Sequence, residues 1–228
     1  MVDASVEWSP VANGTARTIW RTAALSAGLV SEGRFGATVR LERQQRGASA
    51  DWIVSASAFR RQGDWTISGT AGVSARPDFY YKHSVEAEIA RAFGGLVLHA
   101  GYRLIAFPAT TIHVVQPGAS WYFPRGWLQA RGYFPRGSAT QRTGGTLLLR
   151  GSLDATPRLR LEAGAAAGSR IFDASALAGP GAGAWVVFGG ASLRIATRWT
   201  IRASVGGAHE DPAFSQQTIA LGARWTPR

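Results

Sequence analysis

The strongest constraint on this chain is a two-residue period. From Arg158 to Arg170, Leu159, Leu161, Ala163, Ala165 and Ala167 alternate with Arg158, Arg160, Glu162, Gly164 and Gly168. Successive side chains of a strand point to opposite faces, so this pattern makes one face apolar and the other charged or very small. The same rhythm sets Phe35, Ala37, Val39 and Leu41 against Gly36, Thr38, Arg40 and Glu42, and Trp199, Ile201, Ala203 and Val205 against Thr200, Arg202, Ser204 and Gly206. Few windows place apolar residues at i, i+3, i+4 and i+7 beyond two turns, and no apolar run nears the roughly 20 residues of a membrane helix.

Marking the alternating rows predicts about 14 strands, near 3–8, 17–29, 34–43, 50–60, 65–74, 83–91, 96–106, 111–122, 127–134, 144–153, 158–169, 183–195, 198–208 and 216–226. Ser31-Glu32-Gly33, Gln62-Gly63-Asp64, Gly94-Gly95, Pro124-Arg125-Gly126, Asp154 to Pro157 and Thr197-Arg198 read as short turns. They alternate with longer connectors such as Ser9 to Ala16, Ala75 to Lys82 and Ile171 to Ala182.

Period 2 alone fits a soluble sandwich as well as a membrane barrel. The rows decide between them by length, since most run about 9 to 11 residues, enough for a tilted strand to cross hydrocarbon. The polar face pairs Arg or Glu with Gly, Ser and Thr, as a wet lumen requires, and Trp or Tyr stands at row ends, as an interfacial girdle requires. The expectation is an all-β chain: a single transmembrane antiparallel up-and-down β-barrel of about 14 strands, 12 or 16 being alternatives, with short periplasmic turns and longer extracellular loops. Residues 1–228 form one domain in this reading, with Val2 to Trp8 closing against Gln216 to Trp225. Met1-Val2-Asp3 runs straight into a strand, so the chain reads as a mature outer-membrane protein with a start Met added and its signal peptide removed.

The formal charge of +11 comes from 25 basic and 14 acidic side chains, and Lys82 is the only lysine. Arginines spaced at alternate strand positions face a lumen and cannot form a surface stripe, which argues against nucleic acid as a partner. Without Cys there is no disulfide, thiolate metal site or thiol nucleophile. No cofactor and no metal are expected.

Gly101-Tyr102-Arg103-Leu104, Phe107, Val114, Pro117-Gly118, the run from Trp121 to Leu128, Arg131 and Tyr133 follow one another as a Gly-Tyr-Arg strand, a loop, an aromatic strand, a tight turn and a Trp-Leu strand. In this the chain resembles the YaiO-like family of outer-membrane β-barrels, most clearly from Asp51 to Tyr133. The resemblance implies an outer-membrane location and, in some relatives, association with periplasmic repeat domains or exopolysaccharide export. The last strand, Thr218 to Trp225, looks like the signal read by the barrel-assembly machinery. The partners expected are therefore membrane lipid or detergent, that machinery during biogenesis, and periplasmic export components.

The predicted lumen-lining set is Arg40, Glu42, Glu86, Glu88, Arg103, Arg131, Arg150, Arg160, Glu162, Arg194, Arg202 and Arg224, with Asp3, Glu7, Asp51 and Arg158 beside it. These charges can form a ladder of ion pairs that stiffens the barrel, or an arginine surplus that favours anions. Trp8, Trp65, Tyr102, Tyr122, Trp127, Trp199 and Trp225 are assigned to the aromatic girdle, and Asp78 to Lys82 to a surface binding loop. Small inward residues such as Gly164 leave room, so an added charge is expected to be cheap there. His83 and Ser84 are strand neighbours and point apart, His209-Glu210-Asp211 reads as a solvated turn, and His99 as a paired lumen histidine. The leading function is a passive pore for small polar or anionic solutes or saccharides. A plugged structural or export-associated barrel is the alternative, and a barrel-wall enzyme ranks below both.

Overall fold

The computed structural model describes residues 1–75, 77–137, 144–168, 183–210 and 214–227. Its strands are β1 (Val2–Asn13), β2 (Ala16–Ser31), β3 (Phe35–Arg46), β4 (Ser49–Gln62), β5 (Trp65–Ala75), β6 (His83–Phe93), β7 (Leu96–Ala106), β8 (Thr111–Phe123), β9 (Gly126–Gly137), β10 (Thr146–Asp154), β11 (Leu159–Gly168), β12 (Ala184–Arg194), β13 (Trp199–Glu210) and β14 (Phe214–Trp225). Neighbours in sequence are neighbours in the sheet, and β1 closes on β14, giving a barrel with no free edge. The seam joins the expected segments: Val2 stands opposite Trp225, Asp3 opposite Arg224 and Trp8 opposite Ile219.

Two prolines locate the gaps in this ladder. The β1–β14 register skips Ser9 and Pro10, and the β8–β9 register skips Gln116 and Pro117. Proline has no N–H to donate, so a strand can carry it only where a ladder bond is forgone. At the first gap the Ser9 and Thr218 hydroxyls, 3.0 Å apart, bond across the seam.

The rim that carries the chain termini, called here the terminal rim, also carries the short turns. One is the three-residue connection Glu32-Gly33-Arg34 between the paired Ser31 and Phe35, where Glu32 and Gly33 take left-handed φ values of 46° and 70° and the Arg34 N–H donates to the Ser31 carbonyl at 2.9 Å. At the opposite, far rim the sequence expectation needs correcting: Ser9 to Ala16 is no long loop. β1 runs on through Pro10 to Asn13, and only Gly14 and Thr15 turn the chain. The paired row from Pro10 to Asn13 meets β2 residue by residue, and tertiary pairing overrides the local turn signal. Residues Ile171 to Ala182 lie outside the described residues.

Leu25, Leu29, Val39, Ile67, Val205 and Ile219 are exposed on the outer wall, whereas Ser9, Asp51, Gln116 and Ser120 are buried inside. Polar-in and apolar-out is the inverse of a soluble domain, and every Asp and Glu within a described strand lies on the inward row. Gly164 corrects a second expectation. Its partner across β12 is Phe188, whose ring lies where a Gly164 side chain would go, so the site has no room for an added charge. This is an aromatic ring packed over a sheet glycine.

Leu161→Arg is predicted to cost about 2–4 kcal/mol, as for Arg near a bilayer midplane. Ser192→Glu, on the inward row of the adjacent strand beside Arg160 and Arg202, should cost far less. Urea titration in lipid vesicles checks this, and equal costs would show the inward and outward rows to be misassigned.

Candidate functional site: the lumen

The terminal half of the lumen has two unlike walls. Arg160, Arg194, Arg202 and Arg224 of β11 to β14 and Arg158 in the turn before β11 line a cavity of about 250 Å3 together with Asp154, Glu162, Ser192 and Thr200. Arg160 donates from Nε to Asp154 Oδ1 at 2.7 Å. Arg224 donates to Asp3 Oδ2 at 3.0 Å, and Arg202 takes the other oxygen of that carboxylate. Arg158 and Arg194 make no side-chain hydrogen bond among the described residues, so this wall holds guanidiniums that no carboxylate grips. An adjoining cavity of about 220 Å3 reaches across to Arg40, which donates from Nη2 to Glu42 at 2.7 Å. On the facing wall the inward rows of β4 and β5 carry the hydroxyls Ser55, Ser57, Thr66, Ser68 and Thr70, with Thr70 bonded to Ser57 at 3.0 Å, and Phe59 and Arg61 continue the β4 row to the rim.

Midway up, a chain of polar contacts crosses five strands. Arg150 donates to Gln129 Oε1 at 2.8 Å, and Gln129 donates to Ser120 Oγ at 2.9 Å. Ser120 Oγ lies 2.9 Å from His99 Nε2, and His99 Nδ1 lies 3.0 Å from Glu88. Glu88 also takes the Arg131 guanidinium, which reaches Gln116 as well. With a proton on Nδ1, His99 donates to Glu88 and accepts from Ser120, the connectivity of a nucleophile, base and orienter. Ser120 is only 1% exposed and its oxygen already accepts from Gln129, so no carbonyl carbon has an approach to it. Arg103 and Glu86 pair one strand position away at 3.7 Å.

The far mouth is organised by a residue that the sequence reading placed only among lumen acids. Asp51, fully buried, accepts the backbone N–H groups of Asp78, Phe79 and Tyr80 at 2.9, 3.1 and 2.8 Å. Three donors on one carboxylate turn the β5–β6 loop into the barrel, so Asp78 to Lys82 is no free surface loop. Tyr81 joins Ile53, Ile105, Ile112, Val114, Tyr133 and Leu148 in an apolar cluster of inward side chains, with Tyr80 and Phe107 packed against it. The Arg46 guanidinium lies 4.4 Å over the Phe79 ring and 4.0 Å over Trp20. Burial pushes the Tyr80 phenol up to about 12, so it stays neutral at any working pH.

Of the aromatics assigned to the girdle, Trp8, Trp65, Tyr102, Trp199 and Trp225 stand on the outward row. Trp127 and Tyr122 do not. They face each other across β8 and β9 on the row of Gln129 and Arg131, and the Arg150 guanidinium sits 5.6 Å over the Trp127 ring. The period alone carries this signal, because Trp127 and Arg131 differ by four residues and must share a face. Tyr133 is likewise inward and buried. His83 is exposed while Ser84 is buried behind it, as expected of opposite faces. His209 faces Trp185 on the outward row and Glu210 turns inward, while Asp211 lies outside the described residues. Ser120, Gln129 and Gln116 were missed because neutral polar residues carry no charge pattern to read.

Glu88→Gln is predicted to destabilise the barrel by on the order of 2–3 kcal/mol, since it strands Arg131 in a half-dry site. His99→Gln, which can keep one of the two bonds, should cost less. Thermal unfolding followed by sheet dichroism tests the order, and a Glu88→Gln barrel as stable as wild type would show that Arg131 is solvated.

Comparison with known proteins then places the chain. Over 99% of its length it superposes on 97% of the outer membrane protein Omp33 of Acinetobacter baumannii, at TM-score 0.60 and 13% identity. It superposes likewise on 99% of a bacterial polysaccharide outer membrane secretin at 0.59 and 8%, and on 98% of an anion-selective porin from Comamonas acidovorans at 0.52 and 10%. No curated protein matches it in sequence. The model of the YaiO membrane beta barrel domain matches residues 12–167, well over half of the chain. The protein is a porin-like barrel of the bacterial outer membrane and belongs to the YaiO membrane beta barrel family.

Proposed function

We propose that the barrel is a constricted pore for small anionic solutes, acidic saccharides among them. The observation that carries this reading is the facing pair of walls in the terminal half, arginine on β11 to β14 against hydroxyl on β4 and β5. The arginine wall sets a positive field in a confined aqueous space, and rings of arginine favour anions in pores. Hydroxyls opposite offer hydrogen bonds without a competing carboxylate, a combination suited to a solute that is both anionic and rich in OH groups. Short turns at the terminal rim put this half on the periplasmic side. Barrel-assembly machinery and periplasmic export components remain proposed partners, and catalysis is not part of this reading, given the inaccessible Ser120.

The loop held by Asp51 favours a second reading, a plugged barrel that serves as an anchor or export partner. The two differ in what release of the loop does. Recorded across a planar bilayer with a salt gradient, the wild-type barrel should conduct weakly with anion preference. Arg158→Ser with Arg194→Ser should move the reversal potential toward zero, and Asp51→Ala should raise the conductance. A silent bilayer for both wild type and Asp51→Ala, with insertion verified, would overturn the pore in favour of the plug.

A further inference from the structure

The carboxylates of the strands all turn inward, yet some arginines turn outward, and three of these gather on adjacent strands. Arg17 and Arg21 on β2 and Arg43 on β3 lie on the outer wall toward the far rim. Arg21 stands opposite Gln45 and so diagonal to Arg43, with backbones about 7–8 Å apart. Trp8 is opposite Arg21 and Trp52 opposite Arg43, whose guanidinium lies 6.0 Å over the indole. Among the described residues, the outward rows of β14 and β1 to β4 contain no Asp or Glu, so no protein carboxylate on this face answers the three charges.

Directly toward the midplane the wall is hollow. A shallow groove of about 550 Å3 has a floor of Ala4, Ala23 and Ala223 and flanks of Leu25, Leu41 and Leu221, and Arg43 with Trp52 closes its far end. The alanines make the trough because every neighbour on their rows is larger: Val2 and Val6 beside Ala4, Arg21 and Leu25 beside Ala23, Leu221 and Trp225 beside Ala223. An apolar trough ending in guanidiniums has the form of an acyl chain leading to an acidic headgroup.

Charge at the hydrocarbon boundary is costly unless it meets a counter-charge. At the far rim, which faces the outer leaflet, the counter-charge at this depth is phosphate, and the guanidinium fork matches phosphate oxygens in a bidentate way. We propose that the outer wall at β1 to β4 is a binding site for the phosphorylated glycolipid of the outer leaflet, with Arg21 and Arg43 gripping a phosphate, Arg17 extending the contact above it, and one acyl chain lying in the alanine-floored groove. The site is independent of what passes through the lumen.

Native mass spectrometry of the detergent-solubilised barrel, titrated with bisphosphorylated lipid A, tests the assignment. Wild type should retain the lipid, and Arg21→Gln with Arg43→Gln should weaken retention about tenfold, as expected for losing bidentate phosphate contacts. Arg60→Gln with Arg91→Gln, on the outer wall at the opposite rim, should leave retention unchanged. Heat-modifiable gel mobility confirms that each variant is folded. Should the double Gln variant not fold, Arg21→Lys with Arg43→Lys keeps the charge without the fork and should give intermediate retention. Retention equal to wild type in the folded Gln or Lys variant would overturn the proposal. So would equal retention of dephosphorylated lipid A or of phosphatidylglycerol, which would mark a general acyl or anionic-lipid surface.

Discussion

A peptide group without a partner in hydrocarbon costs several kcal/mol, and no water is at hand to relieve it. Everything else in this barrel depends on meeting that demand. Closure of β1 on β14 leaves no free edge, and among the described residues the gaps inside the β1–β14 and β8–β9 ladders fall at Pro10 and Pro117, where there is no donor to orphan. Once the wall is closed, its two faces meet different solvents, and the side chains divide by that rule. Carboxylates go inside without exception among the described strands, because the lumen offers water and polar partners: arginine for Asp3, Glu88 and Asp154, a hydroxyl for Glu7, backbone N–H groups for Asp51.

Arginine is the residue that occupies both sides, and its partners differ with the side. Inside, Arg131, Arg202 and Arg224 grip carboxylates, while Arg150 reaches a glutamine and rests over Trp127. Outside, Arg91 lies 5.0 Å over Trp65 and Arg43 lies over Trp52, both at the ends of the apolar band. A planar, weakly hydrated cation can stack on an aromatic face and still present its edge to an anion, which an ammonium does less well. That explains how a chain with one lysine carries so much positive charge through a membrane wall.

The lumen divides by height into an open polar half and a filled apolar half. Asp51 makes that division. With its three N–H donors it draws the β5–β6 loop inward, and the aromatics of that loop complete a cluster that the inward residues of β4 and β7 to β10 begin. This buried carboxylate is held by three backbone N–H groups where Asp3 and Glu88 take arginine, and the nearby Arg46 charge adds to their effect. The proposed pore and the proposed plug therefore differ in what this one side chain does.

Much was legible from the period alone. The strand number and the separation of His83 from Ser84 follow from counting by two, because in a strand that count is the geometry, and which two segments meet at the seam follows from their being first and last. Counting by two also contained the placement of Trp127 against the lumen, where the general preference of tryptophan for interfaces pointed the other way. What the count cannot contain is contact between residues distant in sequence. That Asp51 would hold a loop 27 residues on, that Glu88 would bind His99 and Arg131 together, and that Phe188 would fill the space over Gly164 were decided by closure of the barrel. By itself the sequence determined which face each residue takes, a local property of backbone pleat and solvent. Only the tertiary structure decided which side chains meet across the lumen, because curvature and register set those distances and neither is local.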